Sequence, residues 1–302
     1  MTGQKPSADM PGGLDVFIVH WEKPDWCLSA ISSIAQSDTP VSITVINNSP
    51  SLSQTLIDSS VVPISLITTS GNIGYASAAN IGLVEWLRGT SEFAVIASHD
   101  LHVDSTAIRL MLTAIRSDNR LGLVGPILTD KVSGANSIDS NNPDDSGTSE
   151  AAWLSGTCLL MRRACIEQIG GFDRVFHSYG EDVDLCWRAI EAGWKLGLVK
   201  GARARGLGSG DAAASHKLGT RNALRLQYIH HGTKGFLRSY LAQTMLVFKM
   251  TIQCLSPRQT HIERTRRFRN TVARGAGLLP RRVLFARPRT DLVGYGTPRS
   301  GR

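Results

Sequence analysis

Residues 14–49 read LDVFIVHWEKPDWCLSAISSIAQSDTPVSITVINNS, and this stretch decides the fold class. Two runs rich in β-branched residues, 14–20 and 41–47, have the length and composition of buried strands. Between them apolar residues recur at 28, 31 and 34, which predicts a helix over 25–36. A strand, a helix and a second strand in this order indicate parallel strands joined by a helical crossover.

The same alternation continues beyond this unit. We predict strands at 63–68 and 93–98, helices at 51–59, 76–88 and 104–116, and then the apolar segment LGLVGPIL. The pattern predicts an α/β fold whose mostly parallel central sheet carries helices on both faces. Ligands bind such sheets at the carboxyl ends of the strands. Those ends are His20-Trp21, Asn47-Asn48-Ser49 and Ser98-His99-Asp100.

The later part of the chain changes character. Residues 131–150 have almost no apolar content and predict a mobile surface loop, after which 153–163 resumes as a strand. Helices are expected over 218–254 and 257–276, with the last 25 residues loosely packed. The predicted organisation is an α/β domain at 14–210 and a C-terminal helical, arginine-rich region at 211–302.

Composition and charge narrow the functional classes. The 302 residues are 42% hydrophobic and 19% charged, which excludes a disordered or fibrous chain. Residues 257–302 hold 12 arginines against Glu263 and Asp291, a charge of +10, while the rest of the chain sums to −2. A nearly neutral body disfavours nucleic acid as a partner, and the basic tail favours an anionic membrane surface.

The expected location is the cytoplasm, peripheral on the inner face of the plasma membrane. The N-terminus lacks the apolar core of a secretory signal, and five scattered cysteines without CxxC spacing indicate a reducing compartment. The apolar segment 236–255 is interrupted by Arg238 and Lys249, so it is too polar to span a bilayer. It predicts either a helix packed on the main domain or an interfacial helix.

Acidic residues cluster in SYGEDVDLCWR, residues 178–188. Ser178 and Glu181 have the spacing of a capping box, which would give Glu181 a purely structural role. Alternatively, a carboxylate at a helix start beside a cleft suits general-base chemistry. Asp184 and Arg188 are four residues apart and suited to an ion pair on one helix face.

A second candidate site follows the strand 93–98. Asp100 lies directly after it, where a carboxylate can hold Mg²⁺ or Mn²⁺ together with phosphate oxygens. His99 and His102 add imidazole groups, which Mn²⁺ accepts more readily than Mg²⁺. Upstream, NIGYASAANIG at 72–82 combines a turn with small residues that allow a ligand to approach the backbone.

Together these segments resemble the inverting family 2 glycosyltransferases of the GT-A fold, and within them the bacterial rhamnosyltransferase-like branch. The resemblance covers residues 14–210. It rests on an ordered set: FIVHW, VINNS, NIGYASAANIG, SHD, WLSGTCLLMRR, GGFD, YGEDVDLCWR and AGW.

The resemblance implies a role for each matching residue. Asp182 of the Glu181-Asp182 pair would be the base that deprotonates the acceptor hydroxyl, and Asp100 would hold the metal and diphosphate. The nucleotide-sugar site would comprise His20, Trp21, Asn47, Asn48, Ser49, Asn72, Gly74, Asn80, His99 and Asp100. The acceptor site would be bordered by Trp153, Gly156 and Thr157.

The chain also departs from the family pattern. His20 replaces the usual Thr, Asn47 an Asp that often contacts the base, and Ser98 the first acid of the DxD-type motif. A metal-binding His is replaced by Gly206 or Arg205. Three alternatives follow: a weakly held metal, recruitment of His99 or His102, or neutralisation of the diphosphate by Arg205.

The resemblance implies transfer of a sugar from a nucleotide to a polyprenyl-diphosphate-linked or glycan acceptor in cell-envelope polysaccharide synthesis. The first choice of sugar nucleotide is dTDP-rhamnose. The alternatives are a UDP-sugar, galactofuranosyl or hexosaminyl, and a degenerate GT-A domain that binds without catalysis.

Overall fold

The computed structural model describes residues 14–50, 62–129, 147–207, 212–254, 260–279, 282–286 and 288–292. The strands are β1 (Leu14–His20), β2 (Val41–Asn47), β3 (Ile64–Thr68), β4 (Phe93–Ser98), β5 (Leu101–Val103), β6 (Leu121–Leu128), β7 (Thr148–Glu150), β8 (Cys158–Arg162) and β9 (Lys195–Gly206). The α-helices are α1 (Pro24–Ala35), α2 (Tyr75–Arg88), α3 (Ala107–Ser117), α4 (Arg163–Ile169), α5 (Glu181–Glu191), α6 (Ala212–Cys254) and α7 (His261–Gly277). The helix predicted at 51–59 lies outside the described residues.

The strands form one sheet in the order β3-β2-β1-β4-β8-β6-β9-β5, and β7 pairs with β9. The four strands from β3 to β4 are parallel, as the alternating pattern predicts. The second half is mixed: β8 runs antiparallel between β4 and β6, and β9 is parallel to β6 but antiparallel to β5 and β7. The α/β class is therefore confirmed, and the parallel arrangement holds for one half of the sheet.

Helices cover both faces of the sheet, as predicted. One apolar core contains Ile31 of α1 and Met111 of α3, and the other contains Leu83 of α2, Ile166 of α4 and Leu185 of α5. Each face is closed because these helices are amphipathic and turn their apolar side to the sheet.

Two predictions about the middle of the chain need correction. The segment 131–150 is not entirely loop, since residues 148–150 form β7 along β9; residues 131–146 lie outside the described residues. The strand expected at 153–163 begins only at Cys158. The residues before it turn towards α5 instead, where the backbone amide of Gly156 donates to Asp182.

The C-terminal region is packed on the α/β part rather than loosely attached. Leu284 is buried, Leu292 contacts the second core, and the carbonyl oxygen of Thr290 accepts from the amide of Gly171 at 2.8 Å. The expectation of loosely packed final residues is therefore wrong for 288–292. The boundary at 210 remains a prediction, but contacts cross it.

Helix α6 changes direction at Gly232, where φ is 62° and ψ is −157°. Its first half lies on the α/β part, and its second half packs with α7, bringing the Cys254 Sγ atom within 3.8 Å of the Thr271 Oγ1 atom. We call residues 233–254 and 260–279 the helical hairpin. None of the described helices is both long and apolar enough to cross a membrane.

Candidate active site

The three predicted strand ends meet at one edge of the sheet. His20 of β1 is in register with Asn47 of β2, and the amide of Asn48 donates to the His20 carbonyl at 3.0 Å. The amide of His99, just after β4, donates to the carbonyl of Val19 at 3.1 Å. Residues far apart in the sequence therefore form one polar surface, with Trp21 half-buried beside it.

Aromatic rings line one side of this surface. The His20 and His99 rings lie 5.4 Å apart edge to face, and the Trp26 ring stacks on His99 at 6.3 Å. Burial, and then the nearby His99, lowers the pKa of His20 to about 4. The pKa of His99 is also lowered, chiefly by burial. Both rings are therefore neutral near pH 7 and suited to contacting an uncharged aromatic ring such as a nucleobase.

A hydrogen-bonded network joins the end of β2 to the start of α2. Asn48 donates to the Asn72 side chain at 3.3 Å and accepts from the amide of Ile73 at 2.9 Å. Asn72 in turn accepts from the amide of Gly74 at 2.9 Å. Gly74 has φ of 87°, and a Cβ there would lie 2.4 Å from the His177 Nδ1 atom. Both the backbone conformation and the close contact with His177 therefore require glycine at position 74.

Asn80 has a different environment from the rest of the predicted nucleotide site. Its buried amide donates to the Phe172 carbonyl at 2.9 Å and accepts from the Phe172 amide at 2.8 Å. These two bonds tie α2 to the turn that follows α4. They account for the side chain without a ligand, so we leave Asn80 out of the proposed nucleotide site.

Asp100 lies in a tight turn between β4 and β5. One carboxylate oxygen accepts from the Ser98 hydroxyl, and the Asp100 carbonyl accepts from the Leu207 amide at 2.9 Å. Leu101 is in register with Gly206, and His102 with Arg205. The substituted positions 205 and 206 are therefore beside Asp100.

The residues around Asp100 fit a cation that is completed by a ligand's phosphates. Among the described residues no group of three His, Cys, Asp or Glu side chains could enclose a metal. One carboxylate is nevertheless enough for Mg²⁺ or Mn²⁺ when phosphate oxygens and water supply the remaining ligands.

Asp182 occupies the first turn of α5. Its two carboxylate oxygens accept from the amides of Gly156 and Val183, each at 2.9 Å. Burial raises the pKa of Asp182, while these amide bonds oppose the rise. A Cβ at Gly156 would lie 3.2 Å from the Asp182 Cβ atom, so a larger residue at position 156 would crowd the Asp182 side chain.

Glu181, beside it, is not part of a capping box. The residue before α5 is Gly180, with φ of 96° and no side-chain cap. The Glu181 side chain is buried, and its Oε2 atom has no hydrogen-bond partner among the described residues. Burial, with the charges of Asp182 and Asp184, raises the pKa of Glu181 well above its usual range. Of the two carboxyl groups, Glu181 therefore retains a proton more readily, because most of the amide bonds that oppose the rise in pKa are made by Asp182.

Asp184 is structural. It accepts from Arg188 at 2.8 Å, as the sequence spacing predicts, and it contacts the His230 Nε2 atom of α6 at 3.0 Å. The three acids therefore differ: Asp184 is paired with Arg188 and His230, burial favours the neutral form of Glu181, and two backbone amides hold Asp182.

Tyr75 is a central residue that the sequence analysis missed. Its hydroxyl donates to the Gly156 carbonyl at 2.6 Å. Burial, followed by the charges of Glu181, Asp182 and Asp100, raises the pKa of the Tyr75 phenol. Tyr75 is thus near both the predicted base and the predicted metal-binding acid. Its only sequence signal was its place after Asn-Ile-Gly at a helix start.

The predicted acceptor residues join the two halves of the site. The amide of Ser98 donates to the Thr157 carbonyl at 3.0 Å, and the Thr157 hydroxyl is 3.0 Å from that of Ser155. Trp153 packs, partly buried, against the second core.

The loop before α5 is held from outside by α6. His177 and Tyr179 have backbone φ angles of 65° and 68°, which residues other than glycine adopt rarely. The Asn222 side-chain amide donates to the carbonyls of Phe176, Ser178 and Tyr179 at 3.1, 2.7 and 2.5 Å. No local sequence pattern reveals this bracing, because Asn222 is more than forty positions from its partners.

Comparison with known proteins agrees with this arrangement. The family "Glycosyltransferase like family 2" matches residues 144–224, the part that carries β8, the acceptor residues and α5. N-acetylglucosaminyl-diphospho-decaprenol L-rhamnosyltransferase of Mycobacterium tuberculosis is 28% identical, covering 43% of this chain and 54% of the relative. Pre-mycofactocin glycosyltransferase of the same organism is 32% identical, covering 41% and 28%. This chain thus spans about half the length of the rhamnosyltransferase.

Similarity to solved structures covers more of the chain than similarity to the sequence relatives does. A mannosyltransferase of Pyrobaculum calidifontis, in complex with GDP-Man and Mn²⁺, has a TM-score of 0.56 at 13% identity, covering 87% of this chain and 86% of that one. GalNAc-T7 with UDP, GalNAc and Mn²⁺ has a TM-score of 0.54 at 12% identity, covering 71% and 48%. These likenesses establish the GT-A fold. The family match and the sequence relatives show that this chain is similar to family 2 glycosyltransferases.

Proposed function

We propose that this chain transfers a sugar from a nucleotide to a polyprenyl-diphosphate-linked acceptor with inversion at the anomeric carbon. The observation that carries the proposal is that Asp182, held by two backbone amides, and Asp100 are both close enough to the Tyr75 phenol to influence it. A base on one side and an anchor for a diphosphate on the other are what a single displacement requires.

Asp182 would take the proton of the acceptor hydroxyl as its oxygen attacks the anomeric carbon. The bond from that carbon to the diphosphate oxygen breaks on the opposite face. The strongly raised pKa of Glu181 supports assigning the negative charge of the pair to Asp182. The neutral His20 and His99 rings would contact the base of the nucleotide, together with Trp21, Asn47, Asn48 and Ser49. Asn72 and Gly74 would lie near the diphosphate.

A divalent cation is part of this proposal. Asp100 would hold Mg²⁺ or Mn²⁺, and when bound the ion would offset the charge that develops on the leaving nucleoside diphosphate. The single carboxylate would make the ion's affinity depend on the nucleotide. Both solved relatives carry Mn²⁺ in their complexes.

The first choice of sugar nucleotide is dTDP-rhamnose, because the relative from Mycobacterium tuberculosis is named an L-rhamnosyltransferase. Calorimetric titration with dTDP, UDP and GDP, each with and without Mn²⁺, tests this choice. Mn²⁺-dependent binding of dTDP supports it, whereas preference for UDP moves the proposal to a galactofuranosyl or hexosaminyl donor. Absence of binding by all three would favour a degenerate domain.

Transfer itself is tested with dTDP-rhamnose and a short-chain polyprenyl-diphospho-N-acetylglucosamine, using chromatography of the lipid product. Wild-type enzyme with Mn²⁺ should form the product, and Asp182→Asn should not. Product formation that is equal in the wild type and Asp182→Asn would reject Asp182 as the base.

The helical hairpin is proposed to contact an anionic membrane surface. Five large apolar side chains, spaced four, four, three and four residues apart, are each more than half exposed along one face of α6: Leu237, Leu241, Met245, Phe248 and Ile252. Exposed Lys234, Arg238 and Lys249 lie on the same half of the helix, and α7 exposes Arg264, Arg266, Arg267 and Arg269. Apolar side chains beside cations suit the boundary between headgroups and acyl chains.

Vesicle sedimentation tests this surface. The doubly substituted Leu241→Gln, Phe248→Gln protein should lose binding to phosphatidylglycerol-containing vesicles, while Ile190→Gln, at an exposed apolar residue of α5, should bind as the wild type does. Equal binding by all three proteins would exclude the hairpin as the contact.

A further inference from the structure

We infer that Tyr75 is a positioning residue for the catalytic base, acting through the peptide group of Gly156. The inference rests on the proposed function, because it assigns a role to a side chain beside Asp182. It concerns a residue that the proposed chemistry does not use.

The geometry is a chain of two hydrogen bonds through one residue. The Tyr75 hydroxyl donates to the Gly156 carbonyl at 2.6 Å, and the Gly156 amide donates to the Asp182 Oδ2 atom at 2.9 Å. Tyr75 is on α2, Gly156 precedes β8, and Asp182 is on α5. The segment around Gly156 is not itself a strand or helix, so these bonds fix its orientation between the two helices.

Tyr75 is itself held on its far side. Its ring meets the Phe172 ring edge to face, with centroids 6.1 Å apart. The Phe172 backbone is bonded in both directions to Asn80, which is on the same helix α2 as the tyrosine. The buried amide of Asn80 therefore supports the phenol that supports Gly156.

The consequence for Asp182 is both geometric and electrostatic. A Gly156 peptide that is free to rotate would withdraw the amide from the carboxylate, and that amide is one of the groups that oppose the rise in the Asp182 pKa. Within the part of the chain that the structure describes, the titratable groups that Asp182 influences are Glu181, Cys186 and Tyr75 itself. Without the phenol hydroxyl, the base would be less well aimed and ionise at higher pH.

The test variant is Tyr75→Phe, which keeps the ring against Phe172 and removes only the hydroxyl. The matched control is Tyr228→Phe, in the aromatic cluster that α6 forms with Phe285. Tyr75→Phe should bind dTDP as the wild type does and lower kcat by roughly ten- to a hundredfold, the cost of a misplaced catalytic group. The acid limb of its pH–rate profile should move to higher pH.

A second readout needs no turnover. The Gly156 amide can be followed by ¹⁵N-glycine NMR of the full chain, with its signal assigned by its loss in Gly156→Ala. The pH midpoint of that signal should rise in Tyr75→Phe by about half a unit, as expected from the loss of a modest hydrogen-bond contribution, and stay fixed in Tyr228→Phe.

The possible results distinguish failure of the positioning role of Tyr75 from failure of Asp182 as the proposed base. Unchanged kcat and an unchanged NMR midpoint in Tyr75→Phe would overturn the positioning role. Loss of dTDP binding would overturn it as well, by making Tyr75 a direct nucleotide contact. Activity retained in Asp182→Asn would instead defeat the proposed base, whatever Tyr75→Phe does.

Discussion

Arg225 of α6 and Asp173, in the turn before α5, form an ion pair with 2.5 Å between Nη2 and Oδ2, and both side chains are almost completely buried. Asp173 also accepts from the amides of Val175 and Arg289. One buried carboxylate thus joins the turn, the first half of α6 and the C-terminal segment. A charge in this position is stable only with its partner present.

Replacing Arg225 should therefore destabilise the folded protein strongly. Arg225→Met leaves the Asp173 carboxylate buried without its cation and should lower the free energy of unfolding by about 3–5 kcal/mol. Urea denaturation measures the loss. The double variant Arg225→Met, Asp173→Asn should recover part of it, and a single variant as stable as the wild type would contradict the pair's importance.

Removing Asn222 tests the bracing of the loop before the base. Asn222→Ala deprives three carbonyls of their partner and should destabilise the protein by about 1–3 kcal/mol. It should also reduce kcat, because His177 and Tyr179 would relax from their left-handed conformations and move α5. Thermal unfolding and the transfer assay are the measurements. Asn270→Ala on α7 is the control, and equal kcat in both variants would argue against the coupling.

The two aspartates of α5 should behave differently. Asp182→Asn should abolish turnover while leaving dTDP affinity within about twofold, because the base contributes to proton transfer rather than to nucleotide binding. Asp184→Asn should mainly destabilise the fold, since Arg188 and His230 lose their charged partner. Calorimetry, chemical denaturation and kcat distinguish these effects. Loss of turnover in folded Asp184→Asn would make it part of the chemistry.

His230 should give stability that depends on pH. Burial lowers its pKa, but hydrogen bonds and charges from Asp184 and Glu191 outweigh burial and raise it above 6.5. A raised folded-state pKa means that the stabilisation is complete below 6.5 and is lost as pH rises through the folded value. The stability difference between the wild type and His230→Gln should therefore shrink from pH 6 to pH 8.5. A difference that is constant with pH would show that His230 acts by packing alone.

The C-terminal segment should contribute to stability even though it lies far along the chain. Removing 287–302 should cost about 1–3 kcal/mol, because it takes away the contact of Leu292 and the hydrogen bonds to the turn at Gly171. The control removes only 293–302. Equal unfolding midpoints for the two truncated proteins would show that 288–292 does not stabilise the turn.

Much of the fold follows from local patterns. Strands β1, β2 and β4 have the bounds predicted from their runs of apolar and β-branched residues, which are typical of buried parallel strands. The reversed direction of β8 could not be predicted, since Cys158–Arg162 is equally apolar in either orientation. β7 was hidden for the opposite reason: Thr148–Glu150 carries no apolar residue and is a strand only because β9 supplies its partners.

The site was predictable where it depends on strand ends and short motifs. His20, Asn47 and Asp100 lie at one edge because parallel strands end together. The contacts of Tyr75 and Asn222 were not predictable, since they are bonds to backbone groups of distant segments. Bonds between such distant segments produce no recognisable pattern in the local sequence.

The break at Gly232 suggests how this chain can be engineered. Asn222, Arg225 and His230, which brace the loop and α5, all precede the glycine, while the exposed apolar row begins only after it. A hairpin from another protein, joined at Gly232, would replace the surface proposed to contact a membrane and keep Asn222, Arg225 and His230 in the chain. The glycine is thus a junction for chimaeras in which the proposed membrane contact and the proposed chemistry are chosen separately.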